Sequence, residues 1–86
     1  MTSIQDIANA AYRIKESSDL LQRRTLACAS SLAGHSARLA ATVRGSRTGE
    51  AAVHQVREAE RAVRESAARL LTLGSEIDAF IKDLTK

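Results

Sequence analysis

Two long proline-free arms flank one break, Arg44-Gly45-Ser46-Arg47-Thr48-Gly49. Two glycines among Ser and Thr are turn chemistry, and Gly45 can take the left-handed conformation that closes a helix. Ser46 or Thr48 can cap the second arm, and Glu50 sits well in its first turn. At the other end Ser3 and Asp6 have the spacing of a capping box, with Asp in place of Glu. The spacing predicts a helix over about 3–44, a turn at 45–49 and a helix over about 50–84, with a turn too short for anything but antiparallel arms.

Both arms keep a heptad count. On the first, Ile4, Ala11, Ser18, Thr25, Leu32 and Leu39 form one row, and Ile7, Ile14, Leu21, Cys28, His35 and Thr42 the other. On the second, Val53, Glu60, Ala67, Gly74 and Ile81 alternate with Val56, Val63, Leu70, Ile77 and Leu84. A period of 3.5 held this long means coiled-coil packing. Closing the hairpin sets Leu39 near Val53, Cys28 near Val63, Leu21 near Leu70, Ile14 near Ile77 and Ile7 near Leu84. Small residues then meet as well, Ser18 with Gly74 and Thr25 with Ala67. Gly34 falls inside the first arm, where the unbroken count favours tolerance or a slight bend over a break into a third helix.

Composition closes off other classes. Aromatic residues are 2% of the 86, too few for a β-sandwich or barrel. Cys28 has no partner for a disulfide within the chain, and no apolar run approaches the roughly 18 residues of a membrane span. The start, Met1-Thr2-Ser3-Ile4-Gln5-Asp6, lacks the basic and apolar regions of a Sec-type signal peptide. The expected location is the cytoplasm, or the outside reached by another route. The fold class expected is all-α, a two-helix hairpin.

One seam does not use all the apolar side chains. Leu20, Leu26, Leu71, Leu73 and Phe80 lie off it and form the candidate partner interface. A chain this small rarely stabilises one core alone. A second hairpin, identical or homologous, would complete a four-helix bundle. Charge is uneven too. Arg38, Arg44, Arg47, Arg57, Arg61, Arg64 and Arg69 outnumber Glu50, Glu58, Glu60 and Glu65 around the turn, while the open end is acidic. Arg44, Arg47, Arg57 and Arg61 make a basic tip, partly neutralised by i,i+4 pairs such as Glu60–Arg64 and Glu65–Arg69. An overall charge of +3 falls short of a dedicated nucleic-acid binder.

No constellation suggests catalysis or a cofactor. His35, His54, Cys28 and Glu60 have no metal-ligand spacing on one helix. His35 reads as a seam residue bonded to Glu60 or to backbone, Cys28 as a small core residue, and Glu60 as a register pin or a snorkelling carboxylate. Gly-rich phosphate loops and aromatic stacking platforms are absent from the sequence.

The outline resembles the Esx-like helical hairpins of type VII secretion, which carry a Trp-x-Gly motif at the turn. Val43-Arg44-Gly45 stands at that place, matching the Gly and not the Trp. The family's Tyr-x-x-x-Asp/Glu export signal has no counterpart in Phe80-Ile81-Lys82-Asp83, and Tyr12-Arg13-Ile14-Lys15-Glu16 has the spacing in the wrong helix. The resemblance implies a homo- or heterodimeric four-helix bundle that escorts a larger secreted effector. A cytoplasmic adaptor bundle, and a nucleic-acid or membrane-surface binder working through the basic tip, are the alternatives.

Overall fold

The computed structural model describes residues 3–86, which form two helices, α1 Ile4–Thr42 and α2 Arg47–Leu84, folded back on each other. The hairpin is a ribbon of 64 × 19 × 14 Å. Among the described residues there is no strand.

The caps explain the helix limits. Ser3 Oγ accepts from the Asp6 N–H at 3.0 Å, and the Asp6 carboxylate accepts from the Ser3 N–H at 3.3 Å, closing the expected box. At the turn the Val43 N–H still donates to the Leu39 carbonyl at 2.9 Å, ending α1. Gly45 then takes φ +85°, as its position required. Ser46 is the cap of α2: its N–H donates to the Val43 carbonyl at 2.9 Å, and its Oγ accepts from the Gly49 N–H at 3.1 Å. Such a cap contributes about 1 kcal/mol. Because Ser46 rather than Thr48 supplies it, α2 starts at Arg47 instead of near 50, and the turn is residues 43–46 instead of 45–49.

The seam of α2 is the expected one. Val53, Ala67, Gly74 and Ile81 are buried, with Val56, Glu60, Val63, Leu70, Ile77 and Leu84 half-buried between them. On α1 one row holds: Ala11 and Ser18 are buried, and Thr25, Leu32 and Leu39 are half-buried. The other row is corrected. Ile14, Leu21, Cys28, His35 and Thr42 are exposed and only Ile7 is half-buried. Their place in the seam is taken by residues one position further on: Ala8, Ala29 and Ser36, all buried, with Lys15, Gln22 and Val43 half-buried.

Two physical reasons favour this seam. The four-residue turn presses Val43 against Gly49, so the row containing Val43 must face α2. Small side chains on α1 also offer slots for the branched residues of α2. The small layers persist in altered form: Ser18 Oγ donates to the Leu70 carbonyl at 3.1 Å, and Gly74 lies beside Asp19. No large side chain among the described residues is fully buried; Ala29, at 0% exposure, is the most enclosed residue of the core.

Gly34 does not break α1. A Cβ placed there meets nothing within 4 Å. Gly34→Ala should therefore raise stability by about 1 kcal/mol, the helix propensity alone, read as a higher urea midpoint with an unchanged denaturant slope. A lower midpoint would mean that the glycine is needed for a bend.

Candidate interaction surface

In an antiparallel pair, each row flanking the seam meets the equivalent row of the other helix. On one side of the ribbon the displaced row of α1, Ile7, Ile14, Leu21, Cys28, His35 and Thr42, runs beside Ala52, Ala59, Ser66, Leu73 and Phe80 of α2. None of these is Asp, Glu, Lys or Arg. The large ones stand well into solvent, Ile14 at 57%, Leu21 at 50%, Leu73 at 42% and Phe80 at 48% exposure. They gather toward the open end; small and neutral polar residues continue the row toward the turn. The result is an uncharged face, apolar at the foot.

The opposite side is mixed. Gln5, Tyr12, Asp19, Leu26, Ala33 and Ala40 of α1 flank the seam there, with Glu50, Arg57, Arg64, Leu71 and Asp78 of α2. Two open grooves run along it. One is lined by Ala33, Ser36, Ala37, Arg57, Arg61 and Arg64, among others, and the next by Ala40, Arg44, Glu50 and Arg57. Near the foot Lys15 reaches Asp19 at 2.8 Å and Asp78 at 3.7 Å, tying the helices across this side. The bond to Asp19 holds the Lys15 ammonium above its ordinary pKa, with the Asp19 and Asp78 charges adding to it. A raised lysine favours the folded state below its unfolded pKa, and that effect is lost as pH rises through the folded value.

The five off-seam residues singled out in the sequence are all exposed. The geometry brings Leu73 and Phe80 together on the uncharged face. Leu26 and Leu71 lie on the mixed side, and Leu20 points away from the seam on the outer edge of α1. Ile14 and Leu21, which sequence reasoning assigned to the core, belong with Leu73 and Phe80. The signal that could have found them is the absence of charge along both flanking rows.

The basic tip is exposed at Arg44, Arg47, Arg57 and Arg61. Arg61 is held by Glu58 at 3.0 Å, and Arg64 by Glu60 at 2.8 Å. The expected Glu65–Arg69 pair is not formed. Glu60 thus sits at the seam edge with its carboxylate turned outward, the snorkelling arrangement. It is not bonded to His35. That imidazole is exposed, and its Nδ1 accepts from the Arg38 guanidinium at 2.9 Å. Cys28 is exposed as well, not a core residue, because it belongs to the displaced row.

Among the described residues, no group of three or more His, Cys, Asp or Glu side chains could hold a metal ion, and no helix is long and apolar enough to cross a membrane. No family model, curated protein or solved structure matches the chain.

Proposed function

We propose that the chain is a non-enzymatic interaction module, a helical hairpin that receives another hairpin to complete a four-helix bundle and so accompanies a partner protein. The observation that carries this reading is the seam itself. An isolated hairpin gains most by turning its largest aliphatic residues inward, at about 25 cal/mol per Å² of apolar surface. Here Ile14 and Leu21 stay outside while Ala8, Ala29 and Ser36 are enclosed. A contiguous apolar surface of this kind marks an interaction site.

The finer reading is the Esx-like one: an escort or targeting partner for a larger secreted effector. Its support is the hairpin length and the turn glycine, with Gly45 at positive φ where the family's glycine stands.

Light scattering at micromolar concentration tests the module. The expected result is about twice the chain mass, or a loosely folded monomer that gains helicity with a partner hairpin. A well-folded monomer with a cooperative melt overturns it.

A further inference from the structure

The two grooves of the mixed side are continuous, because Ala37 and Arg57 line both. Their floor on α1 is alanine, with Ala33 and Ala40 half-buried and Ala37 and Ala41 exposed. Their rim is guanidinium. Arg61 and Arg64 are held by Glu58 and Glu60 of their own helix. Arg44 and Arg57 are exposed and, among the described residues, form no ion pair. The other acidic lining lies toward the two ends. Glu50 is in the first turn of α2, where the helix dipole offsets its charge, and Glu65 is near the far end.

We propose that this groove receives an acidic α-helix of a partner protein, laid along the hairpin with its carboxylates against Arg44 and Arg57. Its seat is separate from the uncharged face, so either surface can be filled without the other.

Shape selects a rod. A floor of one-carbon side chains lets a third helix axis approach the pair closely. An extended segment would lay unpaired N–H and C=O groups on a floor whose own backbone groups are used within α1, whereas a helix satisfies its own. A flat anionic membrane would touch the rim and miss the floor. Charge selects acid at chosen points. A nucleic-acid strand carries a phosphate about every 3.4 Å and would meet Glu50, Glu60 and Glu65 as well as the arginines. A helix can carry carboxylates only where guanidinium stands.

The hairpin register gives their spacing. Lys15 lies level with Asp78 and Val43 with Gly49, which sets Arg57 level with Ser36. Arg44 is eight residues beyond Ser36, or about 12 Å at 1.5 Å per residue. On a partner helix that is about the distance from i to i+7, two turns apart on one face.

The test is fluorescence anisotropy, with the full chain titrated into labelled, alanine-based helical peptides of about 16 residues, roughly 24 Å of helix. A peptide with two glutamates at i and i+7 should bind saturably at low salt. It should bind about threefold or more tighter than one with the pair at i and i+4, and its lysine counterpart should not bind. Arg57→Glu should weaken binding about tenfold, and Arg69→Glu, outside the grooves, by less than about threefold. Ala37→Leu changes no charge and hardly alters helix propensity, yet it stands a side chain in the floor. It should weaken binding about tenfold with helicity unchanged by circular dichroism.

Absence of saturable binding to the acidic peptide overturns the proposal. Equal loss in Arg57→Glu and Arg69→Glu means attraction by net charge alone and overturns the groove, as does an unaffected Ala37→Leu. Equal affinity for the two glutamate spacings overturns the pairing with both arginines. Tighter binding to duplex DNA or to phosphatidylglycerol vesicles than to the peptide, at the same salt, overturns the helix as occupant and makes the rim a phosphate surface.

Discussion

Gly49→Ala should lower the melting temperature by roughly 10 °C, although alanine is the better helix former. The two effects oppose each other, and their sizes decide the sign. Propensity favours alanine by about 1 kcal/mol. Against that, a Cβ at position 49 would overlap the Val43 side chain, lying 2.8 Å from Cγ2 and 3.0 Å from Cγ1, with Cβ itself in the same clash. Val43 is branched at Cβ and is the C-cap of α1, so relief requires backbone movement in a turn of four residues. Overpacking of this kind costs about 1–3 kcal/mol; with three atoms of a branched side chain in the clash the upper end, about 3, applies, and the net loss expected is about 2. For 86 residues each kcal/mol shifts the midpoint by about 5 °C. Calorimetry checks it. A raised midpoint would mean that the helices can part at the turn, leaving the assignment of Val43 to the seam without support.

The second large effect is expected at an alanine. Ala29 has no exposed surface, and Ala67 is 1% exposed. Ala29→Leu must find three extra carbons of space between close-packed helices, at about 2–3 kcal/mol. Ile14→Ala, by contrast, should cost the hairpin itself little, because the isoleucine is more than half in water. Chemical denaturation of the two variants under conditions where the chain is monomeric should rank them in that order. The reverse ranking would restore Ile14 to the seam and overturn the displaced register.

This displaced register is where the sequence is hardest to read. The row Ile4, Ala11, Ser18, Thr25, Leu32, Leu39 borders two possible companions, one three residues on and one four residues on. Hydrophobicity favours the first, which holds Ile7, Ile14 and Leu21. The structure uses the second, which holds Ala8, Lys15, Gln22, Ala29, Ser36 and Val43. A helix turns about 100° per residue, so a one-position error moves a whole stripe from seam to flank. On α2 no such ambiguity arises, because Val56, Val63, Leu70, Ile77 and Leu84 form one apolar row without a rival, and that seam is legible throughout. The helix boundaries are legible to within a few residues, limited by the choice between Ser46 and Thr48 as cap. Off-seam apolar residues are visible as a set, yet their division between two faces is not. It depends on which side of the seam each flank falls, and periodicity alone puts the α1 seam one residue away.

The ribbon's plain up-and-down path has a consequence for how it forms. Contacts beside the turn, such as Val43 with Gly49, join residues close in the chain, whereas Lys15 and Asp78 are brought together from far apart. Loop-closure entropy rises steadily with that separation, so zippering begins at the turn and reaches the foot last. The foot is also where the chain can open without disturbing anything else, the low end of a gradient of local unfolding. Ile14, Leu73 and Phe80 therefore stand on the part of the molecule that is completed last. Were the proposed partner to seat there, it would close the zipper as it binds, and its affinity would include the free energy of finishing the fold.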